Sequence, residues 1–390
     1  MRFADRLQSL QSNVFDQMDR AKRIGQQAGR TIIDLSIGSS DLPPPIEARH
    51  ALAKAAADPY RYGYTLFHQT QAFRQACALW YEKKFGLAID PETEVLPLMG
   101  AQQATALFPL ALLNPGDGAL VVDPCYPSHT AGVLLAGGEV LSMPVRAEQQ
   151  FLPVFGDIPD SHRQKARLMV LSYPHNPTTA TAPLSFWREA VTFCQTQGIP
   201  LIHDFPYADW MFTDQPAPSV LQVDREKTMA VEVFTLSKSY HLGGLRVGYA
   251  IGNRQLLQAL GQIKSVVNFN AYQGILEAAT AALQDTSPTF IEEWRDVYRR
   301  RRDVCLDALA KLGWIVPTPQ ATMYLWAPLP PGYHGSSAQF CEELVIQTGV
   351  ALAPGSGFGQ MGEGYVRFAL VEGETQLRQA VALIGNFLPL

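Results

Sequence analysis

The segment Thr235-Leu236-Ser237-Lys238-Ser239 closes an apolar run of strand character, Met229 to Phe234. Gly243-Gly244-Leu245-Arg246 then leads into a second such run, Val247 to Ile251. A lysine between two serines therefore stands where a buried strand breaks, and an arginine follows eight positions on (246 − 238). A lysine in that setting is costly to bury unless it is paired, neutralised or used covalently. Hydroxyls beside it, paired glycines and the arginine suit an anion such as phosphate. One chemistry meets both demands, an aldehyde cofactor held by Lys238 as an imine and anchored through its phosphate, which is pyridoxal 5'-phosphate; an isolated S-K-S reads more often as a solvated lysine on a loop after a strand.

Other residues able to do chemistry fall where further apolar runs end. Gly100-Ala101-Gln102 lies between a strand and a helix, where free N–H groups form an anion site; alone it would be an ordinary turn. Tyr126, in Asp123-Pro124-Cys125-Tyr126-Pro127, is in isolation a turn aromatic. Asn176 sits in Tyr173-Pro174-His175-Asn176-Pro177-Thr178-Thr179, where Asn-Pro is a turn signal by itself. Asp204 and Tyr207, in His203-Asp204-Phe205-Pro206-Tyr207, end a strand at which a lone aspartate would by default cap a turn. Arg367 interrupts the apolar strand Tyr365 to Leu370; by itself it reads equally as a strand-edge ion pair.

The elements that must position these residues alternate. Strands are predicted at 95–99, 119–122, 139–143, 168–172, 199–204, 231–235 and 247–251, with helices at 73–84, 102–113, 128–136 and 183–196 between or before them. Continuous apolar strands alternating with helices imply an α/β fold, a mostly parallel seven-stranded sheet covered on both faces. Ligands gather at the carboxyl ends of such strands, where the residues above lie. Residues 1 to about 30 read as helical, Thr31–Gly38 as a short strand, and Pro43-Pro44-Pro45 as a stiff connection before a helix at 46–57. After a long helical stretch, 270–312, strands at 322–326, 350–354 and 365–371 suggest a smaller α+β domain. The expected division is 1–45 as N-terminal arm and part of the small domain, 46–285 as the large cofactor-binding domain, and 286–390 as the small C-terminal domain. Arg299 to Arg302 are expected on a solvated helix face.

The 390 residues are 47% hydrophobic and 17% charged with a net charge of −5, the balance of a compact protein with no general nucleic-acid surface. Five cysteines, at 77, 125, 194, 305 and 341, are odd in number and widely spread, which suits free thiols in a reducing compartment. Met1 to Arg6 lack the apolar core of a signal peptide, and no run is long enough to cross a bilayer, so a cytoplasmic protein is expected. No metal site is expected. Gly355-Ser356-Gly357-Phe358-Gly359 is not followed by a helix and is rejected as a dinucleotide fingerprint.

Nearly the whole chain resembles the class I/II, fold-type I aminotransferases. The stretch from Thr235 to Gly248 is similar to their S-x-S-K-x-x-x-x-x-G-x-R-x-G signature, and 173–179 to their Y-P-x-N-P-T-G. Within that family Ile37 to Pro43, Asn114 to Asp117, Asp123 to Pro127 and Tyr365 to Ala369 resemble the LL-diaminopimelate aminotransferase-like branch. The resemblance implies roles. Lys238 carries the cofactor, Asp204 keeps its ring nitrogen protonated, and Tyr207 and Asn176 bond its ring oxygen. Tyr126 stacks on the ring, His129 can support Asp204, and Gly100, Ala101, Gln102, Thr235, Ser237 and Arg246 hold the phosphate. Arg367 binds the substrate α-carboxylate, with Gly38 closing over the substrate and Asn176 beside it. Tyr64 reaches the phosphate of the neighbouring subunit, implying a homodimer with shared sites. Ala101, Thr179, Gln69 and Thr235 depart from the family's commoner residues.

The implied reaction is ping-pong transamination between an L-amino acid and a 2-oxo acid, with Lys238 as general base and acid on the substrate Cα proton. Two alternatives stay open. One is another reaction on the same cofactor, such as β-elimination, decarboxylation or a synthase step. The other is a non-catalytic aminotransferase-like sensor, for whose DNA-binding domain the short N-terminal segment is expected to leave no room.

Overall fold

The computed structural model describes residues 1, 3–10 and 14–388. Strands are numbered in chain order: β1 Ile33–Asp34, β2 Val95–Leu98, β3 Gly118–Asp123, β4 Glu139–Pro144, β5 Ala166–Leu171, β6 Leu201–Asp204, β7 Ala230–Thr235, β8 Gly248–Gly252, β9 Tyr324–Pro328, β10 Val350–Ala351, β11 Ala353–Pro354 and β12 Tyr365–Ala369.

A seven-stranded sheet of order β2-β8-β7-β6-β5-β3-β4 forms the large unit. Pairs β3–β4, β3–β5, β5–β6 and β6–β7 are parallel, while β8 runs against both neighbours. Because β8 is reversed, its first residue, Gly248, pairs with Leu98 and Thr235, the last residues of β2 and β7. Arg246, just before β8, is thereby carried to the same sheet edge as the carboxyl ends of the other strands.

The inner strands β3, β5 and β7 are buried nearly throughout, as continuous apolar runs in a two-faced sheet must be, while the edge strand β4 alternates. Glu232 is the exception in β7, fully buried, and its carboxylate is satisfied. It accepts from Tyr81 at 2.7 Å, Ser219 at 2.9 Å, the Val220 amide at 2.7 Å and His203 at 2.9 Å. A buried carboxylate without those donors would cost several kcal/mol, on the order of the desolvation penalty of an unpaired charge.

The second unit has its own apolar core, built from Met18 to Leu35 and Trp294 to Ile384, to which the large unit lends Tyr207, Trp210 and Phe212. Its sheets are the parallel pair β1–β10 and the antiparallel order β11-β12-β9. The 22-residue helix Phe290–Lys311 ties the two units together. Its Trp294 indole donates to the Ser239 carbonyl at 3.1 Å, and Trp294 packs on Trp210 with ring centroids 4.4 Å apart.

Two expectations need correction, and one element is added. The helical stretch 270–312 is two helices, Gln273–Gln284 and Phe290–Lys311, parted around Asp285 to Thr289, where Ser and Thr side chains bond locally instead. Residues 254–267, not assigned from the sequence, form a helix capped by the Asn253 side chain. The four arginines do not share a solvated face: Arg301 is 5% exposed and holds Asp41 by bonds of 2.7 and 2.6 Å. The bidentate geometry of a guanidinium and carboxylate is what turns it inward. Arg302 lies over the Phe212 ring at 4.8 Å.

Candidate active site

A cavity of about 800 Å³ opens at the carboxyl edge of the sheet, between the two units. It is lined by Ser36, Ile37 and Gly38; Ala101 and Gln102; Tyr126; Asn176; Asp204 and Tyr207; Thr235, Ser237 and Lys238; Arg246; and Tyr324, Phe358 and Arg367. The sequence-predicted residues other than Gly100, His129 and Tyr64 thus meet around one space, Gly100 being the residue before Ala101 and His129 reaching the site through Asp204.

Lys238 follows β7 in a single helical turn, Leu236–Ser239, that the Thr235 hydroxyl caps by accepting from the Ser237 amide at 3.2 Å. The same hydroxyl donates to Ser237 Oγ at 2.9 Å. The Lys238 amine donates to the Gly38 carbonyl, lies 3.8 Å from Met323 Sδ and has no carboxylate partner among the described ion pairs.

Asp204, the last residue of β6, is buried. His129, fully buried on the helix Pro127–Leu135, places Nε2 2.9 Å from Asp204 Oδ2. The other oxygen, Oδ1, is buried with no hydrogen-bond partner among the described residues, as is His129 Nδ1. A buried carboxylate oxygen left unmatched beside a cavity implies a donor that enters with a ligand. His175, nearby, is pushed down to about 3 by burial and by His129, so it stays neutral; its Nδ1 pairs with Thr178 Oγ1 at 2.7 Å.

At the other end Gly100 precedes the helix Ala101–Leu112 with φ 81°. A Cβ there would lie 2.6 Å from the Arg246 guanidinium on a left-handed backbone, so the glycine leaves the arginine room at the start of this helix. Arg246 itself is left-handed, φ 52°, and its Nη1 donates to the Gly243 carbonyl at 2.9 Å. Helix-start amides, two hydroxyls and an arginine make an anion cradle. Ala101 brings no hydroxyl to it. Tyr126, at the cavity wall, donates to Gln102 Oε1 at 3.4 Å.

On the facing wall Arg367 is 5% exposed in the middle of β12, between Ala353 and Trp326. It donates to Asn176 Oδ1 at 2.7 Å and to the Ser36 carbonyl at 2.8 Å, and its guanidinium lies 4.2 Å from the Tyr324 ring centroid and 4.6 Å from that of Phe358. No acidic side chain among the described residues pairs with it. A buried guanidinium so held is a receptor for a carboxylate from outside.

The unmatched Asp204 oxygen, the unpaired lysine and the glycine-gated cradle fit pyridoxal phosphate: ring nitrogen, aldehyde carbon and phosphate each meet a group of the right kind. Residues 30–384 match the family described as aminotransferase class I and II. The chain belongs to that family, and it is a pyridoxal-phosphate-dependent aminotransferase of fold type I. It is similar to the LL-diaminopimelate aminotransferase of Dehalococcoides mccartyi, 39% identical over 387 residues that cover 99% of each chain. Among solved structures, a probable N-succinyldiaminopimelate aminotransferase from Thermus thermophilus is 39% identical with a TM-score of 0.90, over 96% of this chain and 100% of that one. Apo-BacF from Bacillus subtilis is 33% identical with a TM-score of 0.95, over 100% and 99% respectively.

The departures from the family's commoner residues have visible consequences. Thr179 takes φ 62°, the left-handed backbone a glycine would take, at a cost of roughly 1–2 kcal/mol for a residue with a Cβ. Gln69 caps its own turn by accepting from the Leu66 amide at 2.6 Å. Tyr64 is 87% exposed and outside the cavity lining, with its ring edge-on to Phe269 at 6.1 Å. Ser36, Met18, Phe358 and Tyr324 also line the cavity and were not singled out from the sequence; Tyr324 is apolar-strand material in β9, brought to Tyr207 across 117 positions.

Proposed function

We propose that this aminotransferase takes its amino group from a diaminopimelate-type amino acid, one with a second polar centre beyond the reacting carbon, and passes it to a 2-oxo acid. The names of its relatives support the substrate class, and a cavity of about 800 Å³ has room for such a chain beside the cofactor. The observation that carries the chemistry is the meeting of an unpaired lysine, an unmatched aspartate oxygen and an acid-free arginine on one cavity.

Bound here, pyridoxal phosphate would supply a carbonyl for the substrate amino group and an electron sink for its α-carbon. Asp204 holds a proton at the ring nitrogen, and His129 orients that carboxylate from behind. Gly100, Ala101, Gln102, Thr235, Ser237 and Arg246 hold the phosphate, Tyr126 covers the ring, and Tyr207 and Asn176 face the ring oxygen. Arg367 seats the substrate α-carboxylate, its fork kept in plane by Asn176 and Ser36. The Lys238 amine would take the proton from the substrate α-carbon and deliver it to the cofactor carbon that carried the aldehyde, not back to the carbon it left.

A homodimer with shared sites and a cytoplasmic location complete the proposal. Exposed Tyr60, Tyr62, Tyr64, Phe67 and Phe269 form an apolar surface of the kind that pairing of subunits covers. No helix among the described residues is long and apolar enough to cross a membrane.

The substrate test is a screen of amino donors, each followed by loss of the bound cofactor's visible band. Diaminopimelate outpacing aspartate, alanine and aromatic donors supports the proposal, and indifference to it refutes the substrate assignment. Sharing is tested by mixing inactive Tyr64→Ala and Lys238→Ala proteins. Activity regained on subunit exchange supports sites built from two chains; none regained, with exchange verified, contradicts them.

A further inference from the structure

We propose that Tyr324 is a positioning residue of this site: its hydroxyl draws the Tyr207 hydroxyl toward itself and holds the proton on the Lys238 nitrogen. The proposal rests on the pyridoxal-phosphate reading above and adds a residue to it.

Tyr324 is 2% exposed, yet it lines the cavity. Its hydroxyl is 2.8 Å from that of Tyr207, the two rings meeting at 73°. A Cβ at Gly38 would lie 1.9 Å from the same hydroxyl, so Gly38 is pressed directly against it. Gly38 in turn supplies the carbonyl that takes the Lys238 amine. The ring face of Tyr324 carries the Arg367 guanidinium at 4.2 Å. One side chain therefore touches the tyrosine that faces the cofactor oxygen, the backbone that seats the lysine, and the arginine that awaits a carboxylate.

A pair of hydroxyls 2.8 Å apart shares one hydrogen bond, so one of them donates and the other accepts. The charged groups around the pair decide which. Facing Tyr324 are Lys238 from the turn after β7, Arg367 from β12, Tyr207 from the loop after β6 and Tyr126 from the helix start. Burial resists ionisation of Tyr324, but the positive charges of Lys238 and Arg367 and the hydrogen bonds from Tyr207 and Lys238 outweigh it, and its hydroxyl titrates below the ordinary tyrosine value. For Tyr207, burial comes first and the neighbouring Tyr324 adds to it, so its proton is retained more firmly. The 2.8 Å contact allows either direction, and the cations beside Tyr324 favour Tyr207 as the donor.

Two effects follow, and they act in the same direction. An electron-rich oxygen beside the Lys238 nitrogen favours the protonated form of that nitrogen. It also competes for the one proton Tyr207 has to offer, weakening what Tyr207 can give to a ring oxygen. Both raise the pH at which the Lys238 nitrogen loses its proton once the cofactor is bound.

The test is spectrophotometric titration of cofactor-loaded Tyr324→Phe and Tyr324→Met, read as the pH midpoint of the visible band, beside kcat and KM profiles against pH. Both variants lack the hydroxyl and keep an apolar side chain. Expected are retained cofactor, a midpoint lower by about one pH unit, and a kcat/KM optimum moved down with it, kcat falling about 10-fold at neutral pH. A midpoint that stays in place in both variants overturns the proposal, even if activity drops, because a packing role alone would not move it. A wild-type protein that shows no visible band with the cofactor would instead strike at the underlying reading.

Discussion

Asp204 has one oxygen on His129 and the other on nothing, and Lys238 has its amine on a backbone carbonyl. Both arrangements are stable only as half of something. A carboxylate with one matched oxygen keeps its position and orientation while leaving the second free for a proton-bearing ring nitrogen. His129→Ala removes the matched half. The loss of one hydrogen bond to a charged group, about 1.5 kcal/mol, should lower kcat/KM roughly 10-fold with the cofactor still bound. Unchanged kinetics would mean that the imidazole only fills space. Lys238→Ala should keep the cofactor through the phosphate cradle and lose at least about 10⁴-fold in kcat, measured by single-turnover chemistry with an amino donor. Steady-state activity near wild type would remove the lysine from the mechanism.

The elements do the gathering. Five strand ends and one reversed strand start meet at one edge, and each brings a polar residue that its own strand could not bury. That is why Lys238, Asp204, Asn176, Tyr126 and Arg246 could be singled out as candidates, each sitting where an apolar run stops, while their roles came from the resemblance to the aminotransferases. Residues 95–252 alternate clearly enough to specify the seven-stranded sheet in advance. Tyr324 and Ser36 were not legible, since they reach the site from the second unit through contacts 117 and 331 positions apart, with Arg367 the partner of Ser36. Arg301 misled for the same reason, because Asp41, 260 positions away, decides which way it turns. The cradle gives a prediction at this scale. Gly100→Ala places a Cβ 2.6 Å from Arg246 and forces a side chain onto φ 81°. Cofactor dissociation measured by absorbance should be about 10-fold weaker in affinity, with circular dichroism unchanged; wild-type affinity would show that the arginine does not need that approach.

Across the whole molecule, the five cysteines are free and buried. Burial pushes the Cys194 and Cys305 thiols up to about 12, and raises those of Cys77, Cys125 and Cys341 as well. An unfolded thiol titrates near about 8.5, so above that pH the unfolded chain binds fewer protons than the folded one. The stability held by each neutral thiol is whole below about 8.5 and is lost as pH rises toward 12. The slope is roughly 1.4 kcal/mol per pH unit for each thiol in that window. Thermal melts should therefore fall steadily between pH 8.5 and 10, and Cys305→Ala should flatten the fall. A melting temperature level across that range would contradict the burial of these groups.

Reduction with borohydride after loading with pyridoxal phosphate, followed by peptide mapping, is the measurement that decides most. A yellow protein that an amino acid bleaches and a 2-oxo acid restores, with the reduced label fixed on Lys238 alone, is the predicted result. A colourless protein, or a label on any other lysine, would contradict the assignment of this cavity as the seat of amino transfer.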